Sequence, residues 1–147
     1  MQITSDLGKF VLRLTLGTLL LLHGVGKITT GAVSILGLMS KTGLPPVLGY
    51  LVYVGEVLAP LLLIVGLWTR PAALVVAINM VVAVLLVHTA QLGELTKNGG
   101  WALELQGFYF FTAVAIAFLG AGGFSVGREN GTLNWTQHSR QANLRVP

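Results

Sequence analysis

"LVVAINMVVAVLLV", from Leu74 to Val87, is apolar at every position except Asn79. A strand that crosses a membrane alternates apolar and polar residues, and this stretch does not alternate. It also lacks the polar face of a helix that lies on the surface of a soluble protein. The stretch is typical of a helix that is apolar on all sides, as buried and lipid-facing helices are.

The chain contains four apolar segments of this kind, each near the roughly 20 residues that a crossing helix needs. They are residues 7–28, 47–67, 72–92 and 103–121. Only 10% of the residues are charged and the mean hydropathy is +0.79, whereas a soluble domain carries about 25% charged residues. We therefore predict an all-α integral membrane protein, a four-transmembrane-helix bundle over residues 1–127, with a polar tail over 128–147.

Composition excludes several classes of function. Cysteine is absent, which excludes disulfides, thiol redox motifs and thiolate metal sites. The net charge is +4, but no basic run accompanies it, so the lipid bilayer rather than nucleic acid is the predicted partner.

The basic residues also predict an orientation. Four crossings place both termini on one side, where six basic residues lie: Lys9, Arg13, Arg70, Arg128, Arg140 and Arg145. The other side has three: Lys27, Lys41 and Lys97. Because cytoplasmic loops carry the excess of Lys and Arg, we predict that both termini are cytoplasmic.

Ionisable residues inside the spans are the main functional signal, because each is costly in a bilayer. We expect Arg13 to reach the cytoplasmic interface with its long side chain. By depth, the catalytic candidates all lie toward the outer half of one bundle: His23, Lys27, Glu56, His88 and Glu104. His23 and Lys27 are four residues apart and share a helix face, so they are tolerable if they meet Glu56 or Glu104. As an alternative, the histidines are neutral groups that hydrogen bond between helices. Lys27 is alternatively a residue whose side chain reaches the outer interface, and Glu104 an interfacial acid at the start of a helix.

Glu56 has a second peculiarity, since Pro60 follows four residues later in "GEVLAP". Proline has no N–H, so the Glu56 carbonyl loses its helical partner and a kink is expected. Polar backbone at membrane depth persists where it is buried in protein or lines a cavity. A functional proton or ligand site is therefore predicted here, with a structural ion pair as the alternative.

Four aromatic residues are candidates for cofactor binding: Tyr53, Trp101, Phe108 and Phe111. Glu104, Phe108 and Phe111 share one helix face, where an acid above two rings could line a slot for a flat apolar ring. No metal site is predicted.

The order of several short motifs resembles the DoxX family of small bacterial membrane proteins, over roughly residues 7–127. The motifs are "HGVGK" (23–27), "GE" (55–56), "GLWTRPAAL" (66–74), His88, "ELQGFYF" (104–110) and "GAGGFSVGR" (120–128). The last departs from the family pattern, with Ala121 in place of a proline and Gly127 in place of an aspartate. A role for that terminal acid therefore does not carry over.

The resemblance implies a four-helix bundle in a bacterial inner membrane. Some relatives resemble the membrane subunit of a thiosulfate:quinone oxidoreductase, and others are associated with oxidative-stress complexes. A quinone-linked oxidoreductase subunit is thus the first hypothesis, with quinone as the cofactor. It needs a soluble or membrane redox partner, because none of these side chains carries electrons by itself.

Three other functions stay open. The first is a non-enzymatic scaffold or assembly factor for a redox or stress-response complex. The second is a small-solute transporter with Glu56 as its site, which would need a homo-oligomer because four helices without a repeat are few. The third is a haem protein with His23 and His88 as ligands, for which two histidines are a weak signal.

Overall fold

The computed structural model describes residues 2–31 and 33–127, and the elements within them are helical. We number five helices along the chain: α1 (Gln2–Thr30), α2 (Val33–Lys41), α3 (Pro46–Val65), α4 (Thr69–Val87) and α5 (Glu104–Leu119). In the loop before α5, Leu95 and Trp101 form an isolated antiparallel bridge. The predicted tail over residues 128–147 lies outside the described residues.

Three of these helices are long and apolar enough to cross a membrane, namely Ile3–Thr30, Pro46–Val65 and Thr69–Val87. The all-helical class and these three spans confirm the sequence prediction at that level. The segment predicted at 103–121 forms the shorter apolar helix α5, of 16 residues. At 1.5 Å per residue α5 is about 24 Å long, somewhat less than the hydrocarbon thickness.

Apolar side chains cover the outside of the helix assembly as well as its inside. Phe118 and Phe108 are 80% and 75% exposed, and Ile78 and Leu85 on α4 point outward as well. Exposed apolar surface on this scale suits lipid and not water. Small side chains such as Ala73 line the interior, as expected where membrane helices approach closely.

Helix α3 changes its winding along its length. It begins as a 3-10 turn (Pro46–Tyr50), continues as an α turn (Leu51–Tyr53), widens into a π turn (Val54–Leu58) and ends as an α-helix (Ala59–Val65). In the π turn the Ala59 N–H donates to the Val54 carbonyl, five residues back. In a regular helix the ring of Pro60 would clash with the Glu56 carbonyl, four residues earlier. The wide turn relieves that clash. The irregularity predicted at Pro60 is therefore present, as an expanded turn.

The structure departs from the sequence prediction most clearly after α4 and before α3. Helix α4 ends at Val87 instead of reaching residue 92, and a 3-10 turn (Thr89–Gln91) follows it. Helix α2 was not predicted, because its nine residues are too few to cross a membrane and its sequence reads as a connector. It packs on the start of α3, where Ile35 and Met39 lie against Gly49.

Helices α1 and α3 approach most closely at Gly24. A Cβ atom on Gly24 would collide with the Glu56 carbonyl, which lies directly against it. Gly26, two residues on, has nothing within 4 Å of the same position. We expect Gly24→Ala to lower the free energy of unfolding by about 1–3 kcal/mol, because the backbone of α3 must shift.

The matched control is Gly26→Ala, which should be neutral or stabilising by up to about 1 kcal/mol because alanine is the better helix former. Unfolding by sodium dodecyl sulfate in mixed micelles, followed by circular dichroism, measures both. Equal stabilities for the two variants would contradict the packing of α1 on α3 at this point.

Candidate functional site

An ion pair lies inside the helix assembly, between the last turn of α1 and the π turn of α3. The ammonium of Lys27 donates to Oε1 of Glu56 at 2.5 Å. Glu56 is only 4% exposed, while the Lys27 side chain is 39% exposed and so reaches the pair from the surface. The structure therefore brings together two of the five catalytic candidates.

Two further polar groups adjoin this pair. The Asn79 amide of α4 lies 3.5 Å from the same Oε1 and donates to it. The Tyr53 hydroxyl donates to the Lys27 carbonyl at 3.4 Å. Gly55 makes the approach of Asn79 possible, since a Cβ there would lie 2.5 Å from the Asn79 Cγ. The pair thus joins α1, α3 and α4.

The second carboxylate oxygen of Glu56 is buried and has no hydrogen-bond partner within the described residues. An ionised carboxylate has room for about four hydrogen bonds, and leaving such a group unsatisfied in an apolar interior is expensive. Membrane proteins keep costly groups of this kind mainly for function. Glu56 Oε2 can accept a proton or a hydrogen bond from a bound molecule.

His23 lies one helical turn before Lys27 and contacts a different helix. Its Nδ1 bonds the Leu19 carbonyl at 2.9 Å, and its ring meets that of Tyr109 edge to face, with centroids 5.8 Å apart. The neighbouring Gly24 touches the Glu56 carbonyl, so His23 lies at the level of Glu56 in the bundle.

The structure places the other two catalytic candidates apart from the pair. His88 follows the end of α4, and its Nδ1 lies 2.9 Å from Oε1 of Gln91. Glu104 is the first residue of α5, is exposed and lies against Gly100. None of the contacts in the described part of the chain connects either residue to Lys27 or Glu56.

The four aromatic candidates do not gather into one slot. Tyr53 lies beside the ion pair, while the Trp101 indole N–H donates to the Leu92 carbonyl at 2.9 Å in the loop before α5. Phe108 and Phe111 are exposed on the outer surface of α5. The face of α5 that carries Glu104 and these two rings therefore points away from the interior of the helix assembly. Within residues 2–31 and 33–127, no three His, Cys, Asp or Glu side chains come together as a metal site.

Arg13 is the residue whose role the sequence prediction missed. It was expected to reach the interface, but it is fully buried. Its Nη1 donates to the Leu63 carbonyl at 2.7 Å and its Nη2 to the Phe124 carbonyl at 2.6 Å. The ring of Phe10 lies 5.8 Å from the guanidinium carbon.

The reason for this burial is the end of α3. The last carbonyls of a helix have no partners within it and carry a partial negative charge, which favours a cation. Gly66 ends α3 in the left-handed conformation, with φ of 77°, and its missing side chain leaves the space that the guanidinium fills. In the sequence the signal is Gly66 itself, a glycine that ends the second span at the depth of Arg13.

Comparison with known proteins identifies the family of this chain. A DoxX family model matches residues 8–89, more than half of the chain. An uncharacterized protein of Haemophilus influenzae is 33% identical over 114 residues, which cover 76% of this chain and 81% of that protein. No solved structure matches. The matched range spans the positions of His23, Lys27, Glu56 and His88. The chain is a membrane protein that belongs to the DoxX family.

Proposed function

We propose that this protein is a quinone-linked subunit of a membrane oxidoreductase, and that Lys27 and Glu56 form its proton-transfer site. The observation that carries the proposal is the buried, unpartnered Oε2 of Glu56 beside the Lys27 ammonium. A carboxylate with one oxygen held and one free can take a proton from one group and give it to another.

The reaction that such a site serves moves protons and electrons together. A quinone takes two electrons and two protons to become a quinol, and the reverse step releases them. The side chains of this chain supply the proton steps, and the electrons come from a separate redox partner that carries a flavin or a metal centre. The apolar outer surface of the helices faces lipid, and the quinone tail can lie against it.

In this proposal the chain crosses the membrane four times. Helix α5 is a fourth crossing, which a short span achieves by local thinning of the bilayer. Both termini then lie on the same side, and the six-to-three excess of basic residues places that side in the cytoplasm. The Lys27 end of α1 faces the outer leaflet of the inner membrane.

Glu56→Gln tests the proposal, because it keeps the shape of the side chain but replaces the charged acceptor Oε2 with an amide NH₂ group, which neither accepts a quinol hydroxyl nor exchanges protons. The protein is purified in mild detergent from its native membrane, and bound quinone is extracted and measured by mass spectrometry. We expect quinone with the wild type and a fall of about tenfold in the variant, which corresponds to roughly 1.4 kcal/mol. Glu94→Gln, in the exposed loop after α4, is the matched control and should retain the quinone.

If Glu56→Gln retained quinone at the wild-type level, Glu56 would not be part of the quinone site. No quinone in any sample, with all variants folded alike, would favour the scaffold function. The link that the ion pair makes among α1, α3 and α4 would then be its whole purpose.

A further inference from the structure

His23 and Tyr109 form a polar pair at the junction of α1 and α5. Their rings meet at an interplanar angle of 83°. Tyr109 is 7% exposed, and no hydrogen bond of its hydroxyl is found within the described part of the chain. His23, in contrast, is exposed, on a surface that otherwise faces lipid.

Of the hydrogen-bonding side-chain groups of this pair, only Nδ1 of His23 has a partner within the described residues. A carbonyl only accepts, so Nδ1 of His23 carries the hydrogen that it donates to Leu19. In the neutral ring, Nε2 is then an acceptor, and the Tyr109 hydroxyl is available as a donor. Hydrocarbon satisfies neither group, and an unsatisfied polar group at membrane depth is strongly unfavourable.

One ligand group complements both. A hydroxyl can donate its hydrogen to Nε2 of His23 while its oxygen accepts from the Tyr109 hydroxyl. A carbonyl can serve only the tyrosine, and a hydrocarbon chain can serve neither. The chemistry of the pair therefore favours a lipid-soluble molecule that carries a ring hydroxyl.

We infer that His23 and Tyr109 bind a hydroxyl of a quinol head group, which enters from the lipid between α1 and α5. The inference rests on the proposed function and names the place where its ligand binds. Leu19 and Leu105 are exposed, four residues before His23 and Tyr109 respectively, and so offer apolar surface on the same helix faces. They would contact the ring and the start of its tail.

The position relative to the ion pair supports this assignment. His23 lies at the level of Glu56, because Gly24 touches the Glu56 carbonyl. Lys27 is four residues farther, about 6 Å along α1. A ring hydroxyl at His23 is thus within two turns of the proton-transfer site and is reached from the lipid side.

Equilibrium binding of a ubiquinol analogue with a ten-carbon tail, kept reduced under argon, tests the inference in lipid nanodiscs. Tyr109→Phe and His23→Gln should each raise the Kd about five- to twentyfold, which is the effect of one lost hydrogen bond in a site that excludes water. The double variant should be weaker than either single variant, but by less than the product of the two effects, because both bonds are made to the same hydroxyl and are coupled. Tyr50→Phe, at an exposed tyrosine of α3, is the matched control.

A second probe does not depend on the variants. The dimethyl ether of the same quinol has no hydroxyl hydrogen to donate to Nε2 of His23, although its oxygen can still accept from Tyr109. The wild type should therefore bind the ether about as weakly as His23→Gln binds the quinol. Wild type that binds quinol and ether equally, or variants within about twofold of its Kd, would overturn the inference and leave the proposed function standing. Wild type that binds neither probe would overturn both.

Discussion

Replacing Lys27 with methionine should lower the free energy of unfolding by about 3 kcal/mol, near the bottom of the range for a broken buried ion pair. Methionine keeps most of the length of the side chain but removes the ammonium, so the Glu56 carboxylate stays buried without its counter-charge. The value lies near the bottom of that range because Lys27 itself is part-exposed. Unfolding by sodium dodecyl sulfate in mixed micelles gives the measurement.

The double variant Lys27→Met/Glu56→Gln decides whether charge is the cause. Glutamine has no charge to leave unpaired and can still accept from Asn79, so most of the stability should return, to within about 1 kcal/mol of the wild type. Lys41→Met, at the exposed end of α2, serves as the control and should change stability by less than about 0.5 kcal/mol. A double variant as unstable as Lys27→Met alone would show that Lys27 acts through packing.

Arg13→Leu should lower the free energy of unfolding by about 3–5 kcal/mol, because it removes a buried cation and the two hydrogen bonds that this cation donates to backbone carbonyls. The Leu63 carbonyl at the end of α3 and the Phe124 carbonyl after α5 would lose their donors. Because the second of these bonds holds the segment 120–127 against α1 and α3, cleavage by chymotrypsin after Phe124 should accelerate. Stability in mixed micelles and the rate of that cleavage are the two readouts.

Arg13→Lys separates charge from geometry. Lysine keeps the charge but lacks the fork of N–H groups that reaches two carbonyls at once, so it should recover less than half of the loss. Arg70→Leu, at an exposed arginine in the first turn of α4, should leave both readouts unchanged. If Arg13→Leu resists chymotrypsin as the wild type does, Arg13 does not hold the segment.

The long apolar helices could be predicted from the sequence because hydropathy depends on composition, which needs no knowledge of packing. Depth also limited the partners expected for Lys27 to Glu56 or Glu104, and the structure pairs it with Glu56. Depth alone does not give the direction in which a side chain points. This is why His88 and Glu104, correctly placed near helix ends, do not join the pair.

The role of Arg13 could not be predicted for a different reason. Its partners are backbone carbonyls, which every residue has, and only the end of α3 makes them available. The pairing of Val126 and Gly127 with the carbonyls of Val65 and Gly66 belongs to the same junction. It depends on how the glycine-rich segment after α5 folds back, and hydropathy carries no information about that.

The π turn at Val54–Leu58 has a consequence for how this helix tolerates changes in length. A π turn holds one residue more than the α turn it replaces, while the helix on either side keeps its usual phase. Loss of one residue here would remove the wide turn while the two ends of the helix still face their old neighbours, and Pro60 would then bend the helix locally. The architecture would survive, but the face around position 56 would turn by about 100°, the rotation per residue of an α-helix. In this stretch the deletion of one residue would therefore change the chemistry of the site while the packing of both helix ends is kept, whereas elsewhere in a packed helix a deletion disturbs both.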